Sequence, residues 1–330
     1  MTAMLPVTLA SRALLAPMSG VTDIVMRRIA ARFGAGLVVS EMVASDEFVR
    51  GSEEARLRAE GAGISPHVVQ LAGCDPRWLG EAARLAEANG AAIIDINMGC
   101  PAKKVTGGWA GSALMRDLDH AVSLVEAAVA AVKVPVTVKM RLGWDDASRN
   151  APELARRAVA SGARLITVHG RTRQQFYKGV ADWAAIRAVR NVGDFPLVAN
   201  GDIHGLDDAR ACLAQSGADL VMVGRAALGK PWLVGAIGAG LDGRAMPAPT
   251  LAQKHAVALE HYEGLLSLLG KAHGVRHARK HLAAYADEAT QSGGTPDAEA
   301  RRLLLTTDDP TQALAALAGL FSPACGRAAA

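Results

Sequence analysis

VTVKMRLGWDDASRNAPELARRAVASGARLITVHG, residues 136–170, decides the fold. It opens on VTVKMR (136–141) and closes on LITVHG (165–170), two β-branched runs that are apolar throughout rather than alternating. Strands of that kind are covered on both faces, as in a parallel sheet. Between them Pro152–Ser161 has helical patterning, and Gly162-Ala163 closes it just before the second strand. Glycine there accepts the left-handed conformation that ends a helix. The stretch is therefore one strand, helix, strand unit.

The unit recurs in both directions. RALLAPM (12–18), GLVVSEM (36–42), HVVQLAG (67–73), AIIDINMG (92–99), PLVANGD (196–202) and LVMVGR (220–225) complete a set of eight strands. Thr22–Phe33, Pro76–Asn89, Leu118–Val132 and Leu206–Ser216 read as helices, and Gly34-Ala35, Gly90-Ala91 and Gly217-Ala218 repeat the closing signal. Pro135 and Pro196 begin two strands, where a missing N–H does least harm. Eight repeats fit a (β/α)₈ TIM barrel better than a doubly wound sheet. After Pro231 the strand signal stops, and GAIGAGLDGRAMPAPT (235–250) leads into helical patterns at Leu251–Leu269, Val275–Ala286, Ala298–Leu305 and Thr311–Leu320. The expected division is a catalytic barrel over 1–244 and a small helical domain over 245–330.

Composition sets the remaining bounds. Of 330 residues 50% are hydrophobic and 4% aromatic, with 36 Lys and Arg against 32 Asp and Glu, which excludes disorder and collagen-like chains. Cys74, Cys100, Cys212 and Cys325 are too scattered for a disulfide framework or a CxxC metal site, so a reducing, cytoplasmic setting is expected. No 18-residue apolar run occurs, so no membrane association is expected. Nothing marks a large interface, and a monomer is expected. Three decoys are set aside. Gly238, Gly240 and Gly243 match GxGxxG without the strand and helix a dinucleotide site needs. GRAALGK (224–230) resembles a P-loop until Pro231 replaces the magnesium-binding hydroxyl. His273, His277 and His281 have the spacing of helical metal ligands, but Arg276, Arg279 and Lys280 interleave and oppose a cation, so no metal is expected.

In a barrel the chemistry gathers where the strands end. The polar residues there are Met18, Ser19, Glu41, Gln70, Asn97 to Cys100, Lys139, Arg141, His169, Arg171, Asn200 to Asp202, Gly224 and Arg225. Singly, any of these ties off a loop as readily as it binds a ligand; sharing one end of the barrel favours a large polar ligand. Asn200-Gly201-Asp202 and Gly224-Arg225 end strands seven and eight, where many barrels hold phosphate. Lys139 ends a buried strand, where an uncompensated ammonium is costly, so it faces an anionic or electron-rich group. Taken as a flavin site, Lys139 stabilises negative charge on the reduced ring and Gln70 bonds its pyrimidine edge. Cys100 opens the long loop DINMGCPAKKVTGGWAGSALMRD (95–117); loops of this length are usually functional, and a protonated thiol is a general acid.

LLAPMSGVTD (14–23), GAGLVVSEM (34–42), VQLAG (69–73), DINMGCPAKKV (95–105), VKMRLGW (138–144), HGRTR (169–173), ANGDI (199–203), VGRAALGKPW (223–232) and VRHARKHLAAY (275–285) together resemble the tRNA-dihydrouridine synthases, within them the bacterial B-type branch. The resemblance implies an FMN-binding barrel with a helical tRNA-binding domain, recharged by NADPH, that reduces the C5=C6 bond of a tRNA uridine. It implies position 17 of the D-loop as the target, Cys100 as the acid that protonates C5, and hydride delivery to C6. It further implies FMN contacts from Pro17, Met18, Ser19, Gln70, Lys139, His169, Asn200, Gly201, Asp202, Gly224 and Arg225. Asn97, Arg141 and Arg171 are expected at the extruded uracil. KAHGVRHARKH (271–281), with four Lys or Arg and no acid, reads as a phosphate track through Arg276, Arg279 and Lys280, continued by Lys103 and Lys104. The alternatives are an FMN barrel acting on a small pyrimidine or enone, and a flavin-bearing RNA-binding regulator.

Overall fold

The computed structural model describes residues 7–324. Its strands are β1 (Ala13–Leu15), β2 (Val39–Ala44), β3 (Val68–Ala72), β4 (Ile93–Met98), β5 (Val136–Arg141), β6 (Leu165–His169), β7 (Leu197–Asn200) and β8 (Leu220–Val223). All pair in parallel, in the order β1-β8-β7-β6-β5-β4-β3-β2. The ring closes where Leu15 N donates to Leu37 O at 2.8 Å and Gly36 N to Ala13 O at 2.7 Å. This is the eight-stranded barrel the repeated unit predicts.

Local chemistry sets the helices between the strands. Asp75 accepts from the amides of Arg77 and Trp78 to start Pro76–Ala88, and Asp117 accepts from His120 N to start Leu118–Ala131. Such caps satisfy amides that the first helical turn leaves without partners. Gly162, the closing glycine of the deciding unit, has φ +105°. The sequence leaves the segment between β6 and β7 unassigned; the structure puts the helix Trp183–Arg190 there, capped by Asp182.

Packing divides into layers. Helices and the outer strand face enclose the larger apolar core, while Leu14, Val39, Val68, Ile93, Leu165, Val198 and Leu220 form a separate cluster. Two residues further along, Gln70, Asp95 and Thr137 stand in register on β3, β4 and β5, each buried. Asn97, Arg141, His169 and Asn200 follow toward the carboxyl ends. The period-two pleat therefore takes one side of the barrel from apolar to polar to functional along its axis.

The stretch expected to be a Gly- and Pro-rich connection is partly helix: Trp232–Leu241 is regular, and only 242–250 is irregular. Its glycines serve packing rather than looseness, since a Cβ on Gly235 would collide with the Phe33 carbonyl. The GxGxxG match thus begins inside a helix that lies against the barrel. Helices Leu251–Leu269, Lys271–Gln291, Ala298–Thr306 and Pro310–Leu320 follow. Leu251–Leu269 docks on Ile24–Arg32, where Arg32 meets Glu260 through two bonds of 2.9 and 2.6 Å. Among the described residues no helix is long and apolar enough to cross a membrane.

Candidate active site at the barrel mouth

A cavity of about 940 Å³ opens at the carboxyl ends of the strands. Pro17, Met18, Ser19, Asn97, Cys100, Lys104, Lys139, Arg141, His169, Asn200, Gly201, Asp202, Gly224 and Arg225 line it. Sequence positions more than 200 residues apart meet here because each follows its own strand.

Cys100 is held by a turn that Asn97 organises. Asn97 Oδ1 accepts from the amides of Gly99 at 3.2 Å and Cys100 at 3.0 Å, and its Nδ2 donates to Gln70 Oε1 at 2.8 Å. Gln70 Nε2 in turn donates to Asp95 Oδ2 at 2.7 Å, and Thr137 Oγ1 donates to Asp95 Oδ1 at 2.5 Å. Burial lifts the Asp95 carboxyl above its usual range, with these two bonds pulling the other way. Gln70 itself is fully buried and does not line the cavity. The structure thus places it one layer below the expected pyrimidine edge, where it fixes Asn97.

Lys139 faces the cavity without a carboxylate in salt-bridge range among the described residues. Its ammonium is pulled down to about 8, by burial first and by Arg141 next, with Asp95 and Cys100 opposing. His169 is held well below the usual imidazole value by burial and then by Arg141, Lys139, Arg171 and Arg225. It is therefore neutral, and its Nδ1 has no partner. A partnerless ammonium and an orphaned imidazole nitrogen at one cavity are groups that await an anionic, hydrogen-bonding ligand. That fits a flavin mononucleotide. Lys139, His169 and Asn200 would border its ring, and Gly201, Gly224 and the exposed Arg225 its phosphate.

Two arginines differ from expectation in degree. Arg141 donates to Gly99 O at 2.7 Å, Thr172 O at 3.0 Å and Phe176 O at 2.9 Å, so it ties the β4 and β6 loops together while still bordering the cavity. Arg171 does not border it. Its side chain is buried and forks onto Asp202, at 2.9 and 2.5 Å, and onto the carbonyls of Lys178 and Gly179. Asp202, at φ +51°, also accepts from Ala181 N at 2.8 Å. Arg171 thus shapes the loop after β6, and a guanidinium so occupied has little left for a uracil.

That loop carries residues the sequence reading passed over. Phe176 and Tyr177 pack edge to face at 4.7 Å and line the cavity, and Arg141 and Arg225 lie over the Tyr177 ring at 5.5 and 4.9 Å. An adjacent aromatic pair inside the polar run RTRQQFYKG (171–179) was the available signal.

The basic track is narrower than its sequence suggests. Lys271, Arg276 and Lys280 are exposed, with Lys280 Nζ beside Gly20 on the loop after β1. Arg279 instead donates to the carbonyls of Thr306 and Thr307 and to Asp308, closing the end of Ala298–Thr306. Lys103 is exposed outside the cavity. His281 points inward to a buried group with His261 and Asp23, whose ligand-type atoms lie within 4.8 Å of one another. His261 bridges Asp23 at 3.2 Å and Tyr285 at 3.0 Å, while both His281 ring nitrogens stay buried without a hydrogen-bond partner, and the cluster forms a closed seam between barrel and helices. It is not the His273, His277 and His281 face that the spacing suggested.

Fold and mouth together define a (β/α)₈ barrel built to hold a polar, anionic ligand above its strands. The family model described as "Dihydrouridine synthase (Dus)" matches residues 14–321, and the chain belongs to that family. It is 53% identical to a probable tRNA-dihydrouridine synthase of Rhizobium leguminosarum bv. phaseoli, covering 93% of this chain and 94% of that one. With tRNA-dihydrouridine synthase B of Xanthomonas axonopodis pv. citri it shares 46% identity over 92% and 94% of the two chains. Among solved structures, morphinone reductase in complex with tetrahydroNAD aligns with TM-score 0.53 at 15% identity, covering 76% of this chain and 92% of that one. The 6-hydroxypseudooxynicotine amine oxidase of Pseudomonas geniculata aligns with TM-score 0.55 at 17% identity, over 73% of this chain and 49% of that longer one. These two share the fold.

Proposed function

We propose that the chain is an FMN-dependent tRNA-dihydrouridine synthase that reduces the C5=C6 bond of a D-loop uridine, position 17 first, with NADPH as donor, acting as a cytoplasmic monomer of the B type. The observation that carries this reading is the convergence of Cys100 and the partnerless Lys139 on one cavity of about 940 Å³. That volume is at the upper end of the range for small-molecule and cofactor sites, as a flavin and a uracil together require.

FMN, when held there, would supply the hydride for C6 of the uracil. The chain's own residues do the rest. Lys139 would offset negative charge on the ring, and the neutral His169 would hydrogen-bond and orient it. The Gln70–Asn97 relay presents Cys100 at the mouth, and the Cys100 thiol gives its proton to C5 and recovers it from solvent. Hydride at C6 and proton at C5 balance as dihydrouracil. Arg141 keeps the two flanking loops together around a base that must leave its stack to enter. Lys104 at the mouth and Lys271, Arg276 and Lys280 on the helical face supply phosphate contacts.

The test is anaerobic. The protein is reduced with NADPH, mixed with an unmodified tRNA transcript, and followed by flavin absorbance. Rapid reoxidation with dihydrouridine formed in the RNA is the expected result. A flavin that stays reduced with tRNA but reoxidises with free uracil or an enone overturns the substrate assignment, and protein without flavin overturns the site.

A further inference from the structure

The described residues expose four large apolar side chains, Trp109, Phe176, Tyr177 and Val180. All four lie on the loops after β4 and β6 that border the cavity. Isolated exposed apolar residues need no explanation, but their confinement to one rim does. Trp109 stands out even there, with 60% of its surface exposed and a left-handed backbone at φ +60°. That conformation costs free energy in a bulky residue and turns up at ligand-handling sites.

What Trp109 packs against identifies a ligand class. The Arg116 guanidinium lies 5.3 Å from the Trp109 ring centroid and 5.0 Å from that of Trp144, and Arg173 lies 4.8 Å from Trp144. Indoles and guanidinium groups thus alternate along the rim from the β4 loop to the β6 loop, and the series ends in an exposed indole. Gly108 and Ala110, on either side of Trp109, line the main cavity. Trp109 itself walls a second hollow of about 470 Å³ with Arg116, Asp117, Leu118, Asp119 and Arg157. Asp119 is paired there with Arg157 at 2.7 Å, and Asp117 caps its helix. Two carboxylates offset the two arginines, so the hollow offers a phosphate no net positive charge, whereas the uncharged face of a nucleobase needs none.

We propose that Trp109 is a stacking site for an unpaired nucleobase of the RNA, next to the cavity that takes the base to be reduced. This rests on the RNA reading above and deepens it: the enzyme grips a second, unpaired base at the lip. Base stacking on an aromatic side chain is sequence-tolerant, so Trp109 contributes hold rather than choice of sequence.

The test uses the flavin-loaded enzyme with Trp109→Ala and Trp109→Phe. Trp109→Ala is expected to raise the Kd and KM for tRNA by roughly 5- to 100-fold, while kcat at saturating RNA and flavin reduction by NADPH stay as in the wild type. Trp109→Phe is expected to restore most of the affinity. Tryptophan fluorescence should be quenched more by a single-stranded oligoribonucleotide than by the same sequence as a duplex, and Trp109→Phe should remove that difference. Unchanged RNA affinity in Trp109→Ala overturns the proposal, and so does a loss confined to kcat, which would make Trp109 a latch for its loop. Direct binding separates this from the parent reading: if wild type binds tRNA but forms no dihydrouridine, the function falls and the stacking site is still judged by Kd.

Discussion

The barrel mouth and the seam beneath the helical domain use the same kinds of residues, the one open to a cavity and the other closed. At the mouth, His169 Nδ1 has no hydrogen-bond partner and the Lys139 ammonium has no carboxylate in salt-bridge range among the described residues, and both residues face a cavity. At the seam, Asp23 accepts from two backbone amides and from His261, His261 reaches Tyr285, and His281, with both ring nitrogens unpartnered, packs 4.4 Å from the His261 ring, all out of solvent. Residue type does not separate a functional site from a structural one here. What separates them is whether a ligand can reach the open polar atoms.

Cys100 belongs to the chemistry of the mouth alone. Cys100→Ala removes a proton donor at the mouth from a side chain that is only partly buried, so turnover on tRNA should fall by about 10²- to 10⁴-fold with bound flavin and thermal midpoint unchanged. Single-turnover reoxidation of reduced flavin by tRNA measures it. Turnover within a few-fold of the wild type would remove Cys100 from the chemistry. Asp23→Ala should show the converse. It deletes a helix cap and the carboxylate that His261 holds, so stability should drop by about 2–3 kcal/mol in urea unfolding. The flavin spectrum of the folded protein should not change. If instead flavin is lost before stability, the seam and the mouth are one unit.

Much of this contrast is legible in the sequence, and the illegible part has a physical reason. Continuous apolar runs with a glycine closing each helix give the barrel, because the burial of parallel strands is written into every residue. The residues at strand ends give Cys100, Lys139, His169 and Asn200, because direction along a strand is fixed. Side-chain commitment is not written locally. Arg171 and Arg279 read as free cations, and only the fold shows Asp202 and the Thr306 and Thr307 carbonyls waiting for them. Gln70 sits two residues too deep for the cavity, a matter of pleat and stagger that a motif does not carry. The seam is silent for the same reason: Asp23 and His261 lie 238 residues apart.

The smallest effect separates the two regions by pH. Burial, and then the neighbouring His261, holds His281 well below the ordinary imidazole value of 6.5, so it is neutral in the folded protein and takes a proton only on unfolding. Below about pH 6.5 the unfolded chain then binds the extra proton, and stability falls as the pH falls. One such group is worth about 1 kcal/mol between pH 7.5 and 5.5, from roughly 1.4 kcal/mol per proton per pH unit. His169 contributes with the same sign, because burial and four cationic neighbours depress it as well. Anionic flavin bound at the mouth would favour a charged His169, whereas His281 lies buried in the seam. Urea unfolding of the wild type and of His281→Gln at the two pH values isolates the seam, and the variant should lose about 1 kcal/mol of the pH-dependent difference. An unchanged difference would mean that His281 is charged in the fold, with Asp23 holding its proton at neutral pH.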